Sequence, residues 1–300
     1  MWHQRHLHYF DQVVRAGSVR RAALDLNITP SALTRRIQDI EEELATELFE
    51  RNTRGMRLTA AGEVFARFAR SQFVEADRMR SQIEDLKGLR RGEVRIACSQ
   101  AIAHDFLPRA IQSFRKLYPL VGFDVTVSDH EAAMERLFAL EVDLVLIFRP
   151  SRLPGFRPIA SVEQGIVVLM REGHPLASRD VIRLSECRSY PLALPAQAVG
   201  TRQLLQDAAI RNGFILTPAI QSNSFEFLRG CIRDTDAISF QMKIGALPRG
   251  NLGTGLVSRE LDRRDAPFSE LVLGQLRERN LPSATAAFAQ QLATSLKAEA

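Results

Sequence analysis

Residues 17–62 read GSVRRAALDLNITPSALTRRIQDIEEELATELFERNTRGMRLTAAG, and this stretch carries the strongest structural signal in the chain. Ser18 suits a helix N-cap, and the next helix contains two alanines, which allow a close helix crossing. Thr29 is a second cap, and Pro30 follows at the first helical position, where its missing N–H costs nothing. The pattern predicts two short helices joined by a tight turn, in which Asn27 suits a left-handed backbone.

The helix that follows Thr29 has an apolar side and a polar side. Spacings of three and four predict an inward face of Leu33, Ile37, Ile40 and Leu44. In a helix-turn-helix, polar side chains near the N-terminal end of the second helix meet base edges in the major groove of DNA. The candidates are Ser31, Thr34, Arg35 and Gln38, with Ser18 and Pro30 at the two helix starts. An arginine can grip a guanine through two hydrogen bonds, and hydroxyls can bond bases or phosphates.

A polar segment, RNTRGMR at residues 51–57, is typical of the tip of a hairpin wing. Its side chains Arg51, Thr53, Arg54 and Arg57 suit phosphate or minor-groove contacts. The alternative is a small helical domain whose arginines are only solvated. Caps, turn, small-residue crossing, polar face and wing all agree, and this agreement favours binding to double-stranded DNA.

These residues resemble the DNA-binding part of the LysR-type transcriptional regulators. The matching positions are Ala22, Ala23, Leu26, Ala32–Arg35, Ile37, Leu44, Leu48–Arg51 and Leu58–Gly62. The resemblance places the family's base contacts on Thr34, Arg35 and Ser31. The family often has Gln-Pro where this chain has Pro30-Ser31, and proline cannot donate a hydrogen bond to a base, so readout there should differ.

The resemblance also implies the fold class, α plus α/β. A winged helix-turn-helix at residues 1–62, which we call the head, is expected to precede a linker helix and hinge at 63–91. Residues 92–300 are then a two-lobed α/β effector-binding domain like periplasmic binding proteins. Lobe I would comprise about 92–162 and 266–300, and lobe II about 163–265.

The linker segment has no proline or glycine between Gly62 and Gly88. Positions alternately three and four apart are apolar at six of seven places, the exception being Gln72. They predict a coiled-coil seam for a homodimer, made by Phe65, Ala69, Ala76, Met79, Ile83 and Leu86. The alternative is a single amphipathic helix that lies on its own domain. Pairing is favoured because two heads can read two half-sites, and the resemblance implies dimers or tetramers.

Strand and helix patterns alternate over residues 92–300, which predicts βαβ units on parallel sheets. The first set has strands at 93–98, 123–127 and 142–148, with helices at 102–118 and 130–140. The second has strands at 165–170, 190–194, 219–222 and 237–240, with helices at 201–212 and 225–233. A strand at 271–276 and a helix at 283–297 would return to lobe I.

The carboxyl ends of these strands are where ligands of open α/β sheets bind, and helix N-termini there favour anions. The candidate effector-binding residues are Ser99, Gln100, Ser128, Arg149, Thr201, Arg202 and Ser222. The resemblance likewise points to Ser99, Ser128, Thr201 and Arg202. We expect a small carboxylate or similar anion, although each hydroxyl also fits a plain helix cap.

Other classes of protein receive little support from the sequence. The 300 residues carry a net charge of +5, which suits a polyanionic partner without demanding one. The three cysteines are far apart, which argues against disulfides and zinc and fits a reducing cytosol. No secretory signal and no apolar run of 18 residues is visible, so a cytoplasmic protein with no membrane partner is expected.

No catalytic set, cofactor motif or metal motif was found. The glycine-rich phosphate motifs and the GxSxG elbow are missing, so the chain is expected not to be an enzyme and to need no cofactor. His3, His6 and His8 do not share one helical face, which argues against a metal tract. Cys98 could be a redox sensor, but a buried small residue is the favoured interpretation.

The sequence hypothesis is therefore a sequence-specific transcriptional regulator that senses a small anionic metabolite. Its partners would be operator DNA, the effector and a second copy of itself, with RNA polymerase left open. The alternatives are a solute-binding protein with an added helical head and an enzyme that uses the cleft between the lobes.

Overall fold

The computed structural model describes residues 4–52, 55–86, 91–148, 154–196, 200–247, 255–266, 268–277 and 279–299. The chain divides into two compact units. The first comprises residues 1–87 with 139–141, and the second 88–138 with 142–300. Within the described ranges, none of the helices is both long enough and apolar enough to cross a bilayer.

The head is a cluster of short helices closed by a two-stranded hairpin. In chain order the first unit contains α1 (Gln4–Ala16), α2 (Val19–Asp25), α3 (Pro30–Leu44), β1 (Phe49–Asn52), β2 (Gly55–Leu58) and α4 (Ala60–Leu86). Phe10 is fully buried at the centre, and its ring packs edge-on against Phe65 with 4.8 Å between the centroids. Leu33, Ile37 and Ile40 join the same core. The apolar face of α3 therefore packs this helix against the core of the head.

Two of the predicted helix-end features are present and two are not. Thr29 Oγ1 accepts a hydrogen bond from Ala32 N at 3.2 Å, and Asn27 has a φ of 53°. Ser18 does stand at the N-cap of α2, but its hydroxyl makes no cap bond there. The prediction that Leu44 faces inward is wrong, because 38% of this residue is exposed. The helix ends directly after it, at Ala45 with φ 50°, before the next turn could cover Leu44.

Glu41 fixes the return of the chain from α3 to the hairpin. Its Oε1 accepts hydrogen bonds from Leu48 N at 2.7 Å and Phe49 N at 3.2 Å. This role of Glu41 was not predicted from the sequence. Thr59 Oγ1 accepts from Gly62 N at 2.9 Å and caps the start of α4.

Replacing Gly62 with alanine should destabilise the head. A Cβ at this position would lie 2.0 Å from the backbone oxygen of Leu48, which cannot move aside freely. Overpacking of this kind costs about 1–3 kcal/mol, which outweighs the gain of about 1 kcal/mol from removing a helical glycine. Thermal unfolding of the full chain measures the effect of each variant on the unit that carries it. In Gly230→Ala nothing lies within 4 Å of the new Cβ, so that control should gain about 0.5–1 kcal/mol. A Gly62→Ala head as stable as the parent would contradict the clash.

The second unit is built on two mixed sheets. Its helices and strands, in chain order, are β3 (Gly92–Cys98), α5 (Gln100–Ala103), α6 (Phe106–Leu117), β4 (Val121–Val127), α7 (His130–Phe138), β5 (Leu144–Phe148), β6 (Phe156–Gln164), β7 (Ile166–Arg171), β8 (Val181–Ile182), β9 (Leu192–Pro195), α8 (Gly200–Arg211), β10 (Ile220–Ser222), α9 (Phe225–Ile232), β11 (Ile238–Met242), α10 (Lys243–Ala246), β12 (Leu256–Leu261), β13 (Ser269–Leu276) and α11 (Ser283–Lys297). Short 3₁₀ turns lie at Pro175–Ser178 and Glu186–Ser189.

The two sheets have the orders β4-β3-β5-β13-β6 and β10-β9-β11-β7-β12-β8. The chain passes from the first to the second between β6 and β7 and returns between β12 and β13. The parallel pairing predicted for the βαβ units is present between β3 and its neighbours β4 and β5 and between β9 and its neighbours β10 and β11. Each sheet is nevertheless mixed, because β13 runs antiparallel to β5 and β6, and β7 runs antiparallel to β11 and β12. Parallel neighbours need a crossover connection, whereas a strand that enters from the other sheet can pair antiparallel.

Three strands and one helix break were not predicted. β6 contains Pro158 and several exposed positions, and it lies at a sheet edge, where proline is tolerated. β8 is only two residues long, and β12 has the polar residues Ser258, Arg259 and Glu260 at its centre. The continuous helix expected at 102–118 is instead α5 and α6, separated at His104–Asp105. Aspartate favours helix starts over helix interiors, which accounts for the break.

Candidate functional site

The exposed side of α3 offers hydrogen-bond donors away from the head's core. Ser31, Arg35 and Gln38 are exposed, and Thr34 is half-buried. The Thr34 hydroxyl donates to Pro30 O at 2.9 Å, so towards DNA it can only accept. The Ser31 and Thr29 hydroxyls lie 3.2 Å apart and share a hydrogen bond. The longer side chains, Arg35 and Gln38, are therefore the donors that can reach furthest from this surface.

The wing is tied to the turn before α2. Met56 N donates to Gly17 O at 3.0 Å, which joins the second wing strand to the start of the helix-turn-helix. Arg57 follows on that strand and is exposed, while Ser18 is half-buried. The side chains of the other predicted wing contacts, Arg51, Thr53 and Arg54, lie outside the described residues.

The predicted dimer seam of α4 is corrected in its first part. Phe65 is 6% exposed and Ala69 is fully buried, and both pack in the head's own core. The large apolar side chains of α4 that reach solvent, among the described residues, are Val64, Phe68, Met79 and Ile83, with 58, 40, 51 and 44% exposure. At 3.6 residues per turn these four fall within about 100° of one another. We call them the α4 stripe; Ala76 is half-buried, and the side chain of Leu86 lies outside the described residues.

A cavity of about 320 Å³ opens between the two sheets of the second unit. Four of the predicted effector-binding residues line it: Ser99, Gln100, Ser128 and Thr201. Ser99 and Gln100 lie at the start of α5, Ser128 follows β4, and Thr201 lies in the first turn of α8. We call this cavity the cleft.

Further cleft residues were missed by the sequence reasoning. Asp129 and His130 line it at the start of α7, Asn223 lines it after β10, and Phe148 and Phe225 add aromatic surface. Asp129 directly follows Ser128, and its Oδ1 accepts from Ala132 N at 2.8 Å as a helix cap. The sequence signal that could have identified these residues is their position at strand ends and helix starts.

Two polar atoms of the cleft lining are buried without a hydrogen-bond partner: Gln100 Oε1 and Ser128 Oγ. A buried polar atom without a partner costs free energy, so each marks a place where a ligand or water would bind. Among the described residues that line the cleft there is no lysine or arginine. The formally charged lining side chain in this set is Asp129.

The remaining candidates lie away from the lining. Arg202 is 5% exposed, and its Nη2 donates to Leu216 O at 3.4 Å, while Nε and Nη1 have no partner. Burial lowers the pKa of its guanidinium. Ser222 Oγ accepts from Ser224 N at 3.1 Å and so belongs to the turn beside Asn223. Arg149 lies outside the described residues.

The cysteine and histidine alternatives have little support in this geometry. Cys98 is fully buried, and burial raises the pKa of its thiol to about 12, so the reactive thiolate is disfavoured. Over the part of the chain that the structure describes, which excludes His3, no cluster of three or more metal-binding side chains occurs.

Two family models match the chain and together cover most of it. Residues 4–63 match "Bacterial regulatory helix-turn-helix protein, lysR family", and residues 87–297 match "LysR substrate binding domain". A relative is the RuBisCO operon transcriptional regulator of Allochromatium vinosum, 28% identical over 229 residues that span 76% of each chain. The regulator IlvY of Escherichia coli K12 is 31% identical over 182 residues, 61% of each chain.

Solved structures share the fold across nearly the whole chain. A full-length OxyR variant from Pseudomonas aeruginosa superposes with a TM-score of 0.74 at 17% identity, covering 99% of this chain and 95% of that one. Full-length CbnR complexed with its target DNA gives 0.66 at 20% identity, with coverage of 98 and 100%. The regulatory domain of Synechocystis CcmR in complex with 2-PG gives 0.59 at 22% identity, covering 69% of this chain and 98% of that domain.

Proposed function

This chain belongs to the LysR-type transcriptional regulators, and we propose that its operator is read chiefly by Arg35 and Gln38 of α3. The family match and the relatives make the protein a transcriptional regulator with a DNA-binding head and a substrate-binding domain, and these relatives are regulators rather than solute-binding proteins or enzymes. The observation that carries the residue assignment is the division of α3 into a buried apolar face and an exposed polar flank.

The contacts that neighbouring side chains make with DNA follow from the hydrogen bonds that each of them can donate or accept. Thr34 Oγ1 can accept from a base, Ser31 can bond either base or phosphate, and Arg57 extends the surface onto the wing. The proposed DNA-contacting surface also includes Ser18, Pro30, Arg51, Thr53 and Arg54. The fold shared with CbnR, which was solved on its target DNA, supports this placement.

Footprinting on the DNA upstream of the chain's own gene tests this proposal. We expect protection of two half-sites, with affinity that falls as salt rises. Affinity equal to that for random DNA at the same salt concentration would contradict it.

Arg35→Ala should weaken discrimination at one base pair of the operator. A bidentate contact to guanine is worth about 1–3 kcal/mol of discrimination against the wrong base. Competition gel shifts with operator and single-base variants measure the change. Arg36→Ala is the matched control, because the neighbouring Arg36 guanidinium already lies 3.5 Å from Asp39. Equal losses on operator and random DNA would show that Arg35 touches only phosphate.

We further propose that the second unit binds a small anionic effector in the cleft. Support comes from Ser99, Ser128 and Thr201 on the lining and from the likeness to a CcmR domain solved with 2-PG. A ligand shifts the arrangement of the heads only by its differential affinity for the two arrangements. DNA affinity that no bound ligand alters would contradict a regulatory role of the cleft.

The protein is also proposed to act as a homodimer through the α4 stripe. The α4 stripe leaves four large apolar side chains partly in water, which is costly, and pairing would bury them. The dimer would present two copies of α3 to two half-sites of the operator.

A further inference from the structure

We infer that the short helix α10 sets the spacing of the two walls of the cleft, and that Gly245 and Arg229 are the positioning residues through which it does so. This role of α10 rests on the proposed ligand-binding role of the cleft and deepens it. Its basis is the place of α10 in the fold, where it touches the backbone of one wall and is hydrogen-bonded to the helix of the other.

On the lobe I side, α10 meets α5 backbone to backbone. A Cβ on Gly245 would lie 1.9 Å from the backbone oxygen of Ala101 and 2.6 Å from its carbonyl carbon. Ala101 belongs to α5 and lines the cleft. Glycine permits this approach, whereas a larger residue would overlap with main-chain atoms that cannot rotate away. The contact therefore limits how far α10 stands from this wall of the cleft.

On the lobe II side, α10 is bonded to α9. Arg229 of α9 is 6% exposed, and its Nη2 donates to Gly245 O and, at 2.8 Å, to Gln241 Oε1. Bonds from a charged donor are stronger than neutral ones. The same helix begins at Phe225, which lines the cleft. The guanidinium therefore holds α10 on the helix that contributes Phe225 to the lobe II wall.

Glu226 joins α9 to the end of α5 beside this contact. Its carboxylate accepts a bond from Arg229 Nη1 and lies 3.2 Å from Nδ1 of His104, the residue that directly follows α5. The Glu226 side chain is 64% exposed, so the pair itself contributes little to stability. It does show that α9 and α5 come together at the position of α10.

α10 is also held at the point where the chain crosses between the lobes. Gln164 is the last residue of β6 and is 3% exposed. Its Oε1 accepts from Ile244 N and its Nε2 donates to Glu299 O, both at 3.0 Å. Lys243 N donates to Gly165 O at 2.9 Å. Since the crossing and both walls all bond or contact α10, the spacing of the walls depends on where this helix lies.

Distances between spin labels on the two lobes test this role without an effector. The labels are attached to the full chain at Glu135→Cys on α7 and Asp207→Cys on α8, two exposed positions. Cys231→Ser removes the native thiol that is only partly buried, while Cys98 and Cys187 are buried. An excess of unlabelled protein ensures that pulsed dipolar spectroscopy reads distances within one chain.

Gly245→Ala should increase the mean distance between the labels. The new Cβ has to retreat by about 1.5 Å to turn the 1.9 Å approach to Ala101 O into an ordinary contact of 3.4 Å, so we expect an increase of at least about this size. Gly230→Ala is the matched control, because its new Cβ on α9 meets nothing within 4 Å and should leave the distance unchanged. A folded Gly245→Ala protein with an unchanged or shorter distance would overturn the inference.

Arg229→Met tests the other side of α10 and decides the question if Gly245→Ala does not fold. Methionine fills much of the same space but cannot donate to Gly245 O, so the distribution of distances should broaden. Arg229→Lys keeps one charged donor and should narrow the distribution again. Arg233→Met is the control, because Arg233 is exposed at the end of the same helix. A distribution in Arg229→Met as narrow as that of the parent would overturn the role of Arg229.

The label distances are measured without effector or DNA, so they separate this inference from the proposed function. Distances that no variant changes remove only the role of α10. Distances that change as expected, together with DNA affinity that no ligand alters, leave α10 in control of the lobe spacing and remove the regulatory role of the cleft.

Discussion

Replacing Met79 and Ile83 together with glutamate should convert the proposed homodimer into a folded monomer. The two side chains are 51 and 44% exposed and form the distal half of the α4 stripe. Fully burying an apolar side chain of this size contributes about 1.5–3 kcal/mol, and about half of each is exposed, so the four side chains of a pair account for about 3–6 kcal/mol. A micromolar dimer needs about 8 kcal/mol in total, and four added carboxylates would repel one another besides. Sedimentation velocity at micromolar concentration measures the change.

Arg67→Glu is the control for the introduced charge. Arg67 is exposed on the same helix but lies outside the α4 stripe, so this variant should stay dimeric. Circular dichroism should show that both variants keep their helix content. The double variant should also lose most operator affinity, since each head would then bind a half-site alone. A double variant that sediments as a dimer would show that α4 does not pair the subunits.

The same helix shows where sequence reasoning about the fold succeeds and where it fails. A stretch of 25 residues without proline or glycine, between Gly62 and Gly88, was enough to predict a long helix. The periodicity could not tell which protein surface each apolar residue would meet. Phe65 contacts Phe10 within the head, while Val64, one position earlier, reaches solvent. α4 therefore has two apolar faces: one packs in the head, and the other reaches solvent. A single heptad pattern cannot describe both faces.

The cleft shows the same division between what sequence can and cannot predict. Strand ends and helix starts predicted Ser99, Gln100, Ser128 and Thr201 on the lining, because the βαβ pattern places such residues at one sheet edge. The same pattern proposed Arg202, but the helix turns that side chain into the protein, towards Leu216 O. Asp129 was passed over although it follows Ser128, since a helix-capping aspartate has the same sequence signature whether or not it faces a cavity.

The largest loss of stability in the second unit is expected from Asp143→Ala. Asp143 is 1% exposed at the base of β5, and its carboxylate accepts bonds from Arg95 at 3.1 and 3.2 Å and from Arg279. Arg95 lies in β3, and Arg279 lies in the segment that returns from β13 to α11. One carboxylate therefore links three segments that are far apart in sequence, those of Arg95, Asp143 and Arg279.

Removing this carboxylate would take away the buried counter-charge that Asp143 gives to the guanidinium of Arg279, whose side chain is only 7% exposed. Breaking a buried pair in this way costs about 3–5 kcal/mol, and at about 2–4 °C per kcal/mol for a unit of this size the midpoint should fall by about 6–20 °C. Asp236→Ala is the control, because Asp236 is 58% exposed in its 2.7 Å pair with Arg171, and exposed pairs contribute at most about 1 kcal/mol. Calorimetry on both variants measures the two unfolding midpoints. Similar midpoints would mean that the Asp143 pair contributes no more to stability than a surface ion pair does. The segment that returns from β13 to α11 would then be held in place without help from this carboxylate.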